Sequence, residues 1–228
     1  MIPNTSKNTT GASSNRNDYR QTFLCQVHRL LQLGYESLTP ANYGASEEDD
    51  ITGEICKRMT QLTEEPPMER WMEHYSIHEQ YPQNETGENV DTKPRRGKRR
   101  AKIDIRIVNK MRTPNTSFYI EAKRLYRGDS VEKYASDEGL GAYTSGYYAK
   151  NAAAAGMLGY VQKDSLDDWL PKLEAKIINA DALCSNGADK KFISVNFRKG
   201  PRHVFMSRHS RSPDIPPIDI YHTFFLFI

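Results

Sequence analysis

The segment Lys-Ile-Asp-Ile-Arg-Ile-Val-Asn (102–109), with Phe-Tyr-Ile-Glu-Ala-Lys-Arg-Leu (118–125) soon after it, decides the fold. In the first segment Ile103, Ile105 and Ile107 alternate with Asp104 and Arg106; in the second Phe118, Ile120 and Ala122 alternate with Tyr119, Glu121 and Lys123. Period-two alternation marks a strand with one face in a core. The connection carries Pro114 and Asn115, which suit a chain reversal, so an antiparallel pair is expected. Glu121 and Lys123 then share a face, and pairing brings Asp104 alongside them. Two carboxylates a few Å apart repel by roughly 1 kcal/mol or more even at the dielectric of water, so the arrangement calls for a cation. A hard divalent ion with oxygen ligands, Mg2+ above all, answers that need. The plain alternative is a solvated face with cross-strand ion pairs worth about 0.2–1 kcal/mol each.

Upstream, Asn17 or Asp18 is placed to cap a helix with Phe23, Val27, Leu30 and Leu31 on its apolar face and Gly34 as its stop. Residues 1–17, polar and rich in Ser, Thr and Asn, read as a disordered lead-in and not as a signal peptide. A second helix is expected from a cap at Ser46, with acids 47–50 in its first turn, the stripe Ile51, Ile55, Met59 and Leu62, and a stop at Pro66 and Pro67. The stretch 71–80 suits either a helix or a strand, and strand is preferred. Residues 82–101 form a polar loop ending in a basic run. Downstream, Leu140 to Tyr148 and Ala152 to Val161 read as helical, the Ala-rich part giving a thin face for close packing. Ser165 with Asp168 resembles a capping box opening a helix to about Ile178. Strands are expected around Phe192, Val195 and Phe197, over 203–207 and over 218–228. This order argues an α/β or α+β sandwich around one sheet, in one domain over 18–228.

Composition narrows the function classes. The chain has 228 residues, 37% hydrophobic and 27% charged, which is enough apolar material for a core. Its apolar runs are only about five to seven residues, far below the ~20 needed to span a bilayer. Cys25, Cys56 and Cys184 fit no zinc spacing and read as reduced thiols, which favours the cytoplasm. The net charge of +3 conceals an asymmetry: residues 1–90 hold 7 Lys+Arg against 14 Asp+Glu, residues 91–127 hold 13 against 3, and the remainder holds 12 of each. The basic excess is an electrostatic footprint for a polyanion. Lys93, Arg95, Arg96, Lys98, Arg99, Arg100 and Lys102, in the loop 91–102, are the preferred phosphate contacts, and Arg124 extends that track. A solvated loop or a partner-binding tail are the competing readings. Tyr143, Tyr147 and Tyr148 are placed in the core in preference to stacking on bases. His74 and His78 are not expected to bind zinc, and His209 and His222 are read as structural.

Asp104 followed by Glu121-Ala122-Lys123 on adjacent strands resembles the PD-(D/E)xK nuclease superfamily, whose fold is the restriction-endonuclease-like central mixed sheet flanked by helices. Ile103 stands where that family usually has proline. Glu-Asp-Asp-Ile-Thr (48–52) is similar to the helix that often supplies a further carboxylate. Gly-Met-Leu-Gly-Tyr-Val (156–161), Ser-Arg-His-Ser-Arg (207–211) and Ile-Tyr-His-Thr-Phe (220–224) extend the likeness to stand-alone bacterial proteins of anti-phage defence loci, over about residues 40–228. The resemblance implies Mg2+, with Mn2+ as a substitute, held by Asp104, Glu121, the Ala122 carbonyl and Glu48, directly or through water. Glu47, Asp50 and Glu54 compete with Glu48. Lys123 is implied as the group that orients the attacking water or stabilises developing charge in DNA phosphodiester hydrolysis. A regulatory protein partner or homo-oligomer is the expected control on such an activity. An inactive nucleic-acid-binding or scaffolding subunit and a ribonuclease or toxin component are the alternatives.

Overall fold

The computed structural model describes residues 11–65, 69–82, 102–111, 116–179, 192–211 and 214–228. Its strands are β1 (Tyr75–Pro82), β2 (Lys102–Asn109), β3 (Thr116–Leu125), β4 (Ala154–Val161), β5 (Ile193–Ser194), β6 (Val204–His209) and β7 (Ile218–Leu226). They make one sheet in the order β1-β2-β3-β4-β7-β6-β5. The central trio β3, β4 and β7 is parallel, and the outer pairings are antiparallel. Helices cover both faces, so the chain is an α/β protein with a mixed seven-stranded sheet.

On one face α1 (Gly11–Glu36) and α2 (Glu48–Glu64) bury Val27, Leu30, Ile51, Ile55 and Met59 against Ile105, Ile107, Phe118, Ile120, Leu158 and Tyr160. On the other, α3 (Ser130–Ala135), α4 (Leu140–Thr144) and α5 (Leu166–Asn179) pack Tyr134, Tyr143, Trp169 and Leu173 over Leu125, Met157, Val161, Ile220 and Phe224. The 3.6-residue periodicity of the first two helices and the Ser165–Asp168 box are seen as expected. Asp168 accepts from the Ser165 hydroxyl at 2.6 Å while its own N–H donates back to that hydroxyl at 3.2 Å. The antiparallel hairpin β2–β3 and the strand β1 are also present as expected.

Several boundaries differ. Helix α1 starts at Gly11, inside the stretch read as a lead-in, and Asp18 is an interior residue whose carbonyl accepts from the Thr22 hydroxyl. It also runs through Gly34. A Cβ there would stand 2.9 Å from Met59 Cγ and 3.2 Å from the Ile55 carbonyl, so this glycine lets α1 and α2 approach closely and is not a stop. Helix α2 begins at Glu48 with Glu47 at its cap position, and Ser46 makes no cap. The expected strand around Phe192 to Phe197 contracts to Ile193–Ser194.

The largest correction is at 152–161, which is the central strand β4 and not a helix. Leu140 to Tyr148 is likewise helical only to Thr144. A strand buried on both faces has no polar alternation to announce it, and alanine lends such a run a helical look. Its small residues are instead demanded by crowding: a Cβ on Gly159 would lie 2.4 Å from Phe224 Cδ1, and one on Gly156 would lie 2.9 Å from Phe118 Cε1.

The alternation of β2 also breaks, and it breaks at Asp104. Ile105 and Ile107 join the α1–α2 layer, whereas Ile103 joins the opposite one. The β2–β3 ladder ends at Ile105↔Ile120, and in the β1–β2 ladder the Gln80–Asp104 pair drops out, with Gln80 at a left-handed φ of 45°. Asp104 thus sits where β2 parts from β3, and its side chain can turn into the gap.

Candidate active site

The Asp104 carboxylate fills that gap by accepting the Ala122 main-chain N–H at 2.7 Å, replacing the ladder bond that β2 no longer makes. One residue on either side of Ala122 lies the rest of the cluster. The Lys123 ammonium donates to Glu121 Oε1 at 2.8 Å, to the Ala122 carbonyl at 2.7 Å and to Glu48 Oε1 at 3.1 Å. All three donor positions of the ammonium are therefore used. Glu48 comes from the first turn of α2, which points at the end of β3, and its Oε2 accepts the Arg124 N–H at 3.1 Å. Glu121 is 5% exposed, and its Oε2 is buried with no hydrogen-bond partner.

A second set of bonds fixes α2 against the sheet. Gln162, just past β4, accepts from Arg124 Nε at 2.7 Å and donates to the carbonyls of Tyr43 and Ser46 at 2.7 and 2.9 Å. Arg124 also pairs with Glu47 and stacks on Tyr126, 4.1 Å from the ring centre. Within α2, the Thr52 hydroxyl meets the Tyr160 hydroxyl at 2.9 Å in the buried layer. These ties place Glu48 over β3. Gln162 carries no sequence signal, because an amide at a strand end has no periodicity and only the folded chain brings it to three partners.

The electrostatics follow from burial. Asp104 is pushed up to about 6, first by loss of water and further by Glu48, against the pull of Lys123 and the Ala122 N–H. Glu121 is pushed up to about 8, again by burial first and then by the Asp104 charge. Burial opposes the Lys123 charge, but Glu121, Glu48 and Asp104 together outweigh it and hold the ammonium protonated. Three carboxylates face one ammonium, so the cluster lacks positive charge. A structural ion-pair cluster gains little from such an imbalance, since burying unpaired charge costs stability.

Among the described residues no three His, Cys, Asp or Glu side chains are grouped so that they alone could hold a metal ion. The oxygens of Glu48, Glu121 and Ala122 instead converge on one point that already holds a cation, the Lys123 ammonium. The orphaned Glu121 Oε2 and the nearby Asp104 remain in want of positive charge. A donor set of few carboxylates and a carbonyl suits Mg2+, which keeps several of its waters, better than a structural metal.

The sequence-predicted residues Asp104, Glu121, Ala122, Lys123 and Glu48 are thus brought together. Arg124 is tied internally, as above. Lys102 is exposed, and its ammonium reaches Gln80 Oε1 at 3.2 Å. Lys93, Arg95, Arg96, Lys98, Arg99 and Arg100 lie outside the described residues, as does Cys184; the flanking Pro82 and Lys102 pair with each other at the site's end of the sheet. Away from the site, His222 is buried between the Tyr134 hydroxyl, 2.9 Å from Nδ1, and the Ser207 hydroxyl, 2.7 Å from Nε2, which also meets His209 at 2.6 Å. Burial holds His222 well below its ordinary value and neutral. No helix among the described residues is long and apolar enough to cross a membrane.

No protein-family model, no curated protein and no solved structure matches this chain. The geometry of the site therefore carries the functional reading.

Proposed function

We propose that the protein is a Mg2+-dependent nuclease of the restriction-endonuclease-like fold that hydrolyses phosphodiester bonds of DNA. The observation that supports it is the convergence of Glu48, Glu121 and the Ala122 carbonyl on one cationic point, with Asp104 beside it and one buried Glu121 oxygen unpartnered. Asp104, Glu121, the Ala122 carbonyl and Glu48 would hold the ion. An ion held there would supply Lewis-acid chemistry, lowering the pKa of a water and offsetting charge on the phosphodiester.

The chain's own groups supply the rest. The Ala122 N–H orients Asp104, and Glu48, bonded to the Arg124 N–H, keeps the α2 terminus over the strand end. The Lys123 ammonium, held protonated by its carboxylate neighbours, is placed to orient a water or to stabilise the charge that builds on the phosphoryl oxygens.

A freely active nuclease would damage its host, so the proposal includes control by a protein partner or by self-association, in a role as effector of bacterial defence against phage. The test is incubation of wild type and Glu121→Ala with plasmid, linear DNA and RNA, each with Mg2+ and with EDTA. Cleavage confined to wild type with Mg2+ supports the reading. Equal behaviour of all four protein and metal combinations removes it and leaves a non-catalytic nucleic-acid-binding module, and preference for RNA makes the protein a ribonuclease.

A further inference from the structure

The loop after α4 is unusually constrained for an irregular segment. Gly146 adopts φ 78°, and a Cβ there would stand 2.4 Å from Ile215 Cδ1. Ala149, a non-glycine, is held at φ 50°. The buried Arg211 guanidinium clamps the loop by donating to the carbonyls of Ala149 at 3.2 Å and Ala152 at 2.9 Å, and to Pro216 at 2.5 Å. Left-handed backbone at a β-carbon-bearing residue persists only where its surroundings over-determine it, and such positions cluster at functional sites.

What the loop presents is a pair of tyrosines. Tyr143 and Tyr148 are buried as the sequence suggests, but Tyr147, also expected in the core, is 46% exposed; it stacks on Tyr148 with ring centres 5.5 Å apart and planes 28° from parallel. Tyr148 is itself fixed: its hydroxyl donates to the Lys102 carbonyl at 3.0 Å, two residues before Asp104, and its ring meets the edge of buried Tyr143 at 5.7 Å. On β2, two residues past Asp104, Arg106 lies 4.2 Å from the Tyr81 ring centre and 5.7 Å from that of Tyr119, with its Nε and Nη2 donating to the Ser117 hydroxyl at 3.2 and 3.0 Å.

We infer that Tyr147, backed by Tyr148, is a stacking platform for an unpaired base next to the scissile phosphodiester, so that the substrate class is DNA with unpaired bases. The inference rests on the nuclease reading above and narrows it. In a duplex the face of each base is covered by its neighbours, and only an unpaired or extruded base offers it to an aromatic ring. Stacking also needs no positive charge, which this carboxylate-rich site has in short supply. Tyr147 is a positioning residue here.

The test measures binding apart from cleavage. Full-length Glu121→Gln protein, alone and combined with Tyr147→Ala, Tyr147→Trp or Tyr148→Phe, is titrated in EDTA against a fluorescein-labelled single-stranded oligodeoxythymidine and a duplex of equal length. Tyr147→Ala weakens single-strand binding about ten-fold and changes duplex binding less than two-fold, while Tyr147→Trp restores it. Tyr148→Phe, which keeps the ring and loses only the bond to Lys102, separates stacking from loop support and costs less than Tyr147→Ala. Equal single-strand affinity with and without the Tyr147 ring, an equal loss for duplex, or no binding to either probe overturns the inference. Tyr147-dependent single-strand binding in a protein whose wild type shows no Mg2+-dependent cleavage refutes the nuclease reading and leaves the stacking surface standing.

Discussion

Replacing Glu121 with glutamine should stabilise the metal-free protein, and the gain should grow with pH. The folded protein holds the Glu121 proton up to about 8, whereas the ordinary value is 4.5. Between those limits the folded state binds the proton more tightly than the unfolded state. The carboxyl's contribution to stability is thus complete below pH 4.5 and is lost as pH rises through about 8. Taken alone that gap corresponds to roughly 5 kcal/mol, at 1.36 kcal/mol for each tenfold change in proton affinity. The coupling to Lys123 reduces it. Lys123 draws part of its stabilisation from the ionised Glu121, and glutamine keeps an oxygen for that ammonium but not the charge. About 2 kcal/mol in favour of Glu121→Gln at pH 8.5 is the expected remainder, with almost none at pH 4.5. For a chain of this size that is about 4–8 °C in Tm. Thermal denaturation of wild type and Glu121→Gln by circular dichroism, in EDTA from pH 4.5 to 9, measures it directly. Millimolar Mg2+ should then narrow the difference by stabilising wild type more than the variant. A difference that is flat across the pH range, or that favours wild type at pH 8.5, would refute the claim that the cluster is short of positive charge.

Asp104→Ala and Lys123→Met should each lower Mg2+-dependent cleavage by on the order of 10²-fold or more while the far-ultraviolet dichroism stays that of wild type, as for the loss of a single electrostatic stabiliser. Gln162→Ala removes three bonds that tie α2 to the sheet and should cost about 1–3 kcal/mol, read by urea denaturation; an unchanged midpoint would mean that α2 is held by its apolar face alone. Gly159→Ala puts a methyl against Phe224 and should destabilise by about 1–3 kcal/mol, and a neutral result would show that Phe224 has room to rotate.

Local pattern and tertiary context contributed differently to this protein. The alternation in 105–107 and 118–123, the stripes of α1 and α2 and the Ser165–Asp168 box are properties of neighbouring residues and are legible in the sequence alone. It also placed Glu121 and Lys123 on one face, because a strand's period of two leaves no other choice. Three features depend instead on contacts between distant parts of the chain. The Ala- and Gly-containing run 152–161 became the central strand because its place between Phe118 and Phe224 admits no larger side chain on Gly156 or Gly159. Asp104 left the regular alternation because its carboxylate bonds the Ala122 N–H where the two strands part. Glu48, and not another acid of its helix, reached Lys123 because Gln162 and Arg124 anchor the start of α2 at the end of β3. Each joins groups far apart in the chain, and such contacts depend on packing geometry that no local periodicity encodes.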